Sequence, residues 1–79
     1  MQINIKYFAA LRECTGMSGE VIDVDSGLVN DIYTQLNEKY TFPIEKKLLR
    51  VAVNEEYAGF NDQLNDGDTL VFITPVAGG

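Results

Sequence analysis

Residues 28–40, with the sequence LVNDIYTQLNEKY, decide the fold, because they form the longest run with a helical spacing of apolar residues. Apolar side chains recur at intervals of three or four residues, which places them along one face of an α-helix. They are Leu28, Val29, Ile32, Tyr33, Leu36 and Tyr40. One long amphipathic helix is therefore predicted, and its apolar face requires a sheet to cover it.

The limits of this helix follow from its flanking residues. Ser26 is a residue type that caps helix N-termini, and we expect it to cap this one. Pro43 restricts Phe42 to non-helical backbone angles, so the helix must end near Tyr40.

The chain before the helix predicts two strands joined by a short helix. Residues 2–8 alternate with a period of two, with Ile3 and Ile5 on one side, as in a half-buried strand. Residues 9–14 contain good helix formers, and Gly16 is placed to end them in a left-handed conformation. Residues 20–24 then read as the second strand.

The chain after the helix predicts more strands. A linker over residues 41–47 precedes an apolar, β-branched strand over 48–54, and residues 55–57 begin a short return. A polar, turn-rich stretch, 61–68, leads into the last strand, 69–74. In that strand we expect Leu70 and Phe72 to face the helix, with Val71 and Ile73 on the opposite side. The order β, β, α and then mostly β predicts an α+β fold in which a mixed sheet of four to five strands packs on one long helix.

Composition narrows the function classes. The chain has 79 residues, 46% of them hydrophobic, so we expect one globular domain over residues 1–74 with a flexible tail at 75–79. Twelve acidic residues against six basic ones give a net charge of −6, which makes nucleic acid an unexpected partner. The acidic excess serves either solubility or a basic protein partner. No targeting or membrane-spanning segment is recognised, so a cytoplasmic location is expected.

Catalytic residue sets are missing from the body of the chain. Histidine is absent, which excludes imidazole catalysis and histidine metal sites. Cys14 is the single cysteine, and we interpret it as a small core residue because no base or resolving thiol is evident. A calcium loop starting at Asp62 fails, since Leu64 and Ile73 occupy positions that need oxygen ligands. The carboxyl group of Gly79 is then the reactive group that remains.

The tail Pro75-Val76-Ala77-Gly78-Gly79 is narrow and ends in two glycines. The five residues, if extended, reach roughly 17 Å from the domain. Gly78 and Gly79 have no side chains, so the terminal carboxylate could enter a narrow pocket. We expect the diglycine to be the natural terminus rather than a boundary introduced artificially.

Three motifs together resemble one family. They are 7–13 (YFAALRE), 51–54 (VAVN) and 64–68 (LNDGD) followed by the tail, PVAGG. In order and spacing they are similar to the small, sulfur-carrying subunits of molybdopterin synthase, over essentially the whole chain. Thr74 departs from the family, which usually has a second proline there, and this concerns only the stiffness of the tail.

The resemblance implies a ubiquitin-like β-grasp fold and a carrier function. In the family, an E1-like adenylating enzyme uses ATP to convert the C-terminal glycine, here Gly79, into a transient acyl-AMP. Sulfur then replaces one oxygen to give a thiocarboxylate, which supplies sulfur to a pterin precursor held by the large catalytic subunit. No permanently bound cofactor, metal, nucleic acid or membrane is implied, and the chain is not an enzyme by itself.

The resemblance also implies roles for individual residues. Gly78 would be the neighbour of Gly79 that has no side chain. After Pro75, Val76 and Ala77 would lie along the wall of the partner's channel. Phe8, Tyr57 and Ile73 match the family's apolar docking patch. From the residues alone, Phe8 is either covered by the next turn or part of a contact patch, and the resemblance favours the patch. Arg12 either pairs with an acidic group of the partner or is simply solvated.

Other functions remain open at this point. The carrier could serve thiamin biosynthesis or tRNA thiolation instead of molybdopterin synthesis. It could also be a ubiquitin-like protein tag or a plain interaction module.

Overall fold

The structure is a computed structural model that describes residues 1–75. Its helices and strands are β1 (Gln2–Lys6), α1 (Ala9–Thr15), β2 (Gly19–Asp23), α2 (Val29–Tyr40), β3 (Arg50–Val53), β4 (Glu56–Ala58) and β5 (Thr69–Ile73), with a 3₁₀ turn at Lys46–Leu48. The five strands form one sheet in the order β2-β1-β5-β3-β4. β1 and β5 are parallel, and the other neighbouring pairs are antiparallel. The predicted mixed α+β sheet is confirmed.

The helix α2 covers one face of this sheet, as its stripe predicted. Ile32 and Leu36 are buried in one hydrophobic cluster with Leu70 and Phe72 of β5. The ring of Tyr33 meets the ring of Phe72 at a centroid distance of 5.8 Å, edge to face, a favoured aromatic geometry. The period of two in β5 is confirmed, because Leu70 and Phe72 are fully buried and their neighbours only partly.

The start of α2 differs from the prediction. The helix begins at Val29, so the predicted capping position of Ser26 is wrong. The N–H of Val29 donates to the carbonyl of Asp62 at 3.0 Å, and the N–H of Asn30 donates to the carbonyl of Phe60 at 2.9 Å. These distant loop carbonyls satisfy first-turn N–H groups that a capping side chain would otherwise serve. Ser26 instead accepts a hydrogen bond from the N–H of Leu28 at 3.2 Å.

Other boundaries shift by a few residues. The strand predicted over 48–54 begins only at Arg50, because Lys46–Leu48 forms the 3₁₀ turn and leaves Leu48 exposed. β1 ends at Lys6, before the predicted limit at residue 8, because the chain turns into α1. α1 ends at Thr15, and the φ of 75° at the following Gly16 is the left-handed conformation predicted for it.

Candidate docking surface and tail

The strand register defines a row of side chains across the face of the sheet that is turned away from α2, here called the outer face. Val71 of β5 pairs with Lys6 of β1 on one side and with Ala52 of β3 on the other. Ala52 pairs in turn with Tyr57 of β4. Because directly paired residues point to the same face of a sheet, these four side chains share the outer face.

A second row lies closer to the end of β5. Ile73 pairs with Arg50, so both belong to the outer face. Phe8 follows β1 with extended backbone angles (φ −130°, ψ 158°) and borders a shallow depression together with Lys6 and Thr69. The structure therefore brings Phe8 to the same face as Ile73.

Exposure separates these apolar residues from the core. The side chains of Phe8 and Tyr57 are 56% and 82% exposed, whereas Ile73 is half-buried among its strand neighbours. Large apolar side chains that share an exposed face are typical of a protein contact site. The three residues assigned to the docking patch are thus all available on the outer face, and Phe8 is not covered by the turn that follows it.

The turn between β3 and β4 positions Tyr57. Asn54 and Glu55 both have positive φ angles, 51° and 71°, as the tight turns of two-residue hairpins require. Asn54 is held on three sides. Its N–H donates to the carbonyl of Thr69 at 2.9 Å, its side-chain oxygen accepts from the N–H of Thr69 at 2.9 Å, and its side-chain nitrogen donates to Asp68 at 3.0 Å. The hairpin that carries Tyr57 is therefore fastened to the start of β5.

Asp68 is braced from two directions. Its carboxylate accepts hydrogen bonds from the N–H of Asn65 at 2.8 Å and from Asn54. These bonds favour the charged form and hold the pKa of Asp68 below its usual value, and the bond from Asn65 has the larger effect. The preceding Asp66 accepts from the N–H of Gln2 at 2.6 Å, so the motif at 64–68 joins β1 to β5.

A partly buried hydrogen-bond network is formed by Tyr7, Glu20 and Tyr40, and the sequence did not predict it. The hydroxyls of Tyr7 and Tyr40 both donate to the same oxygen of Glu20, at 2.6 and 2.7 Å. The pKa of Tyr7 is raised far above its usual value, mainly by burial and secondly by the hydrogen bond to Glu20. The same two causes, in the same order of size, raise the pKa of Tyr40. The network joins the residue that follows β1 to β2 and to the end of α2.

Arg12 lies on α1 and is exposed. Within residues 1–75 the ion pair that forms is Lys47 with Glu45, at 3.3 Å, and Arg12 has no ionic partner there. Both readings of Arg12, a solvated side chain or a contact to a partner, remain compatible with this position.

The tail residues lie mostly beyond the described part of the chain. Pro75 is exposed and follows β5 by two residues. Val76, Ala77, Gly78 and Gly79, which include the predicted reactive carboxyl, lie outside the described residues. β5 therefore ends on the outer face two residues before Pro75.

Three further properties concern only the described chain. From residue 1 to residue 75 there is no group of three or more His, Cys, Asp or Glu side chains arranged to hold a metal ion. No helix in that range is long and apolar enough to cross a membrane. Cys14 is a half-buried free thiol, and its sulfur lies 3.5 Å from the carbonyl oxygen of Tyr40.

This sheet order, with parallel terminal strands and a helix across one face, defines a ubiquitin-like β-grasp domain. The family model described as the ThiS family matches residues 5–79. The chain belongs to the ThiS family. It is 35% identical over 82 residues to the molybdopterin synthase sulfur carrier subunit of Mycobacterium tuberculosis (strain ATCC 25618 / H37Rv), a match that covers 100% of this chain and 99% of the relative.

Solved structures share the fold. SAMP1 of Haloferax volcanii, a small archaeal modifier protein, has a TM-score of 0.82 and 26% identity, and the match covers 100% of both chains. A chain from the complex of subunits 1 and 2 of the molybdopterin-converting factor of Helicobacter pylori 26695 has a TM-score of 0.72 and 21% identity, again over 100% of both chains.

Proposed function

We propose that this chain is the sulfur carrier subunit of a molybdopterin synthase. The observation that carries the proposal is the full-length match to a sulfur carrier subunit at 35% identity. The exposed apolar outer face, crossed by the strand that leads into the diglycine tail, supports it. The relative from Helicobacter pylori was solved as a complex with a second subunit, which is the kind of assembly proposed here.

The proposed chemistry takes place on the carboxyl group of Gly79. A carboxylate resists nucleophiles, so an E1-like enzyme first joins it to AMP from ATP and releases pyrophosphate. A sulfur nucleophile then displaces AMP and leaves a thiocarboxylate. The thiocarboxylate is anionic and soft, so its sulfur can attack a carbon of the pterin precursor in the large subunit, where a carbon–sulfur bond forms as the bond from that carbon to an oxygen leaving group breaks. Water then cleaves the acyl–sulfur bond, which leaves sulfur on the pterin and regenerates the carboxylate.

The domain would supply binding and no catalytic side chains. Phe8, Tyr57 and Ile73 would dock the outer face on the large subunit, and Pro75, Val76 and Ala77 would guide Gly78 and Gly79 into its active site. Interfaces of this type derive most of their affinity from a few central aromatic and aliphatic residues.

Intact-mass measurement tests the proposal. Incubation with the cognate adenylating enzyme, ATP and a sulfur donor should increase the mass by the difference between one sulfur and one oxygen atom. A chain that lacks Gly79 should gain nothing and should unfold at the same temperature as the full chain, since a terminal residue contributes little to stability. An unchanged mass of the full chain with a competent adenylating enzyme would contradict the proposal.

A protein modifier is the second candidate, favoured by the similarity to SAMP1. In that function Gly79 would form isopeptide bonds to lysines of other proteins. Purification under denaturing conditions separates the two, because a modifier yields covalent conjugates and a carrier yields only the free chain.

Carriers for thiamin biosynthesis or tRNA thiolation would share the activation chemistry. The partner captured by the native chain distinguishes them, because a thiazole synthase would indicate thiamin biosynthesis. A pterin-binding large subunit would indicate molybdopterin synthesis.

A further inference from the structure

Positive charge is unevenly distributed on this acidic chain. Only six of its 79 residues are Lys or Arg, against twelve Asp or Glu. Two of those six, Lys6 and Arg50, lie on the outer face in strands β1 and β3. Both are exposed, and neither forms an ion pair within residues 1–75.

These two cations stand on either side of β5. Lys6 pairs with Val71 and Arg50 pairs with Ile73. Each cation therefore lies on the outer face in a strand next to the last residues of β5. Two strand spacings and an offset of two residues separate their Cα atoms by about 12 Å. The strand that leads to Pro75 is thus flanked by one positive side chain on each side.

Acidic residues gather at the opposite end of the same strands. Asp66 and Asp68 directly precede β5, and Asp23 of β2 pairs with Gln2 at the start of β1. The carboxylate of Asp66 accepts a hydrogen bond from the N–H of Gln2, and that of Asp68 accepts one from the N–H of Asn65. Lys6 and Arg50 therefore lie beside the later part of β5, and these aspartates lie near its start. One further carboxylate, that of the exposed Glu55, borders the same depression as Lys6 and Phe8.

We infer that the protein partner that receives the tail presents carboxylates opposite Lys6 and Arg50, at the rim of an apolar site for Phe8, Tyr57 and Ile73. The inference rests on the proposed function, because it requires a partner that takes up the tail. Opposite charges at the rim of an interface increase the association rate and exclude wrong orientations. On this face they orient the domain so that the end of β5, and with it the tail, approaches the partner first.

The test compares two double variants with the same net charge. Lys6→Gln/Arg50→Gln removes both outer-face cations, and Lys39→Gln/Lys47→Gln removes one cation from α2 and one from the 3₁₀ turn. Each changes the net charge from −6 to −8. Association rates are measured for the native chain and both variants against the cognate large subunit and, separately, against the cognate adenylating enzyme, at low and high salt. Thermal unfolding of each variant checks that the domain remains folded.

The inference predicts a slower association, by about three- to tenfold, for the outer-face variant at low salt, with the control close to the native chain. High salt should remove the difference, because ions screen exposed charges. Equal rates for the two double variants, or faster association of the outer-face variant, would overturn the inference.

Measurements with both partners distinguish a failure of this inference from a failure of the proposed function. A native chain that associates with the adenylating enzyme but not with the large subunit contradicts molybdopterin synthesis, and the rates with the adenylating enzyme then decide the inference. A native chain that associates with neither overturns both.

Discussion

In the turn that carries Tyr57, contacts with neighbouring residues stabilise backbone angles that most residues do not favour. Asn54 and Glu55 both occupy left-handed backbone angles, although neither is a glycine. Asparagine tolerates this conformation, and the three hydrogen bonds of Asn54 to Thr69 and Asp68 stabilise it further. These contacts therefore help to position the hairpin that carries Tyr57.

Asp68→Asn should reduce the free energy of unfolding at neutral pH. It should also make that free energy less dependent on pH in the acid range. An Asn side chain has one acceptor oxygen where the carboxylate has two, so it cannot accept equally well from both the backbone N–H of Asn65 and the side-chain amide of Asn54. The pKa of Asp68 is lowered by folding, so its stabilising effect is present above the unfolded value, about 4, and is lost as the pH falls through the folded value. Urea unfolding from about pH 7 to about pH 3 measures this, with the exposed Asp25→Asn as control. A native-like acid dependence in Asp68→Asn would contradict it.

Two phenylalanines should respond in opposite ways to truncation. Phe72→Ala should lower the free energy of unfolding by about 3–5 kcal/mol, because the ring is fully buried in the core. Phe8→Ala should change that free energy by less than about 0.5 kcal/mol and weaken partner binding at least tenfold, about 1.4 kcal/mol. Thermal unfolding and calorimetric titration with the large subunit test both, with Gln35→Ala on α2 as control. A loss of stability without a loss of binding in Phe8→Ala would show that Phe8 is structural.

At the scale of helices and strands, the sequence predicted the existence and faces of the elements but not how they are joined. Periodicity in β5 showed that Leu70 and Phe72 face inward, because side chains alternate regardless of which strands lie alongside. It could not show that Lys6 and Arg50 flank β5, because strand order depends on contacts between distant residues. The capping of α2 was missed for the same reason, since the carbonyls of Phe60 and Asp62 that replace a cap lie thirty residues further along the chain.

The network of Glu20 should matter for the joining of β1, β2 and α2. Glu20→Ala leaves the buried hydroxyl of Tyr7 without its acceptor, a loss of about 1–3 kcal/mol in the free energy of unfolding. Glu20→Gln keeps an acceptor oxygen and should lose less. Denaturant unfolding of the two variants measures the difference. Equal losses would indicate that the negative charge, and not the hydrogen bonds, is what stabilises the network.

At the scale of the whole molecule, stability should fall in alkali. Folding raises the pKa of Tyr7 and of Tyr40, so these groups stay protonated in the folded chain when the unfolded chain would ionise. Their contribution is fully present below the unfolded value, about 10, and is lost as the pH rises through the folded values. In a Tyr33→Phe/Tyr57→Phe background, where Tyr7 and Tyr40 are the remaining tyrosines, circular dichroism and tyrosinate absorbance should change together above about pH 10. Complete ionisation of the tyrosines in a chain that keeps its native circular dichroism would contradict this.

The overall architecture could be predicted from the sequence, but the candidate site could be predicted only in part. The α+β order follows from local patterns, and the docking residues followed from a family resemblance, not from their spacing. Phe8 and Tyr57 are far apart in the chain, and only the register of β1, β5, β3 and β4 places them on one face. The acceptor role of Glu20 had no local signal, because a glutamate in a strand is ordinarily solvated.

The parallel pairing of β1 with β5 has a mechanical consequence. The two strands run side by side in the same direction, with Asn4 opposite Thr69 and Lys6 opposite Val71. A pull that separates the beginning of β1 from the end of β5 acts along the strands, so it loads their hydrogen bonds together in shear instead of breaking them one at a time. A force between these two strand ends therefore does not unzip the sheet.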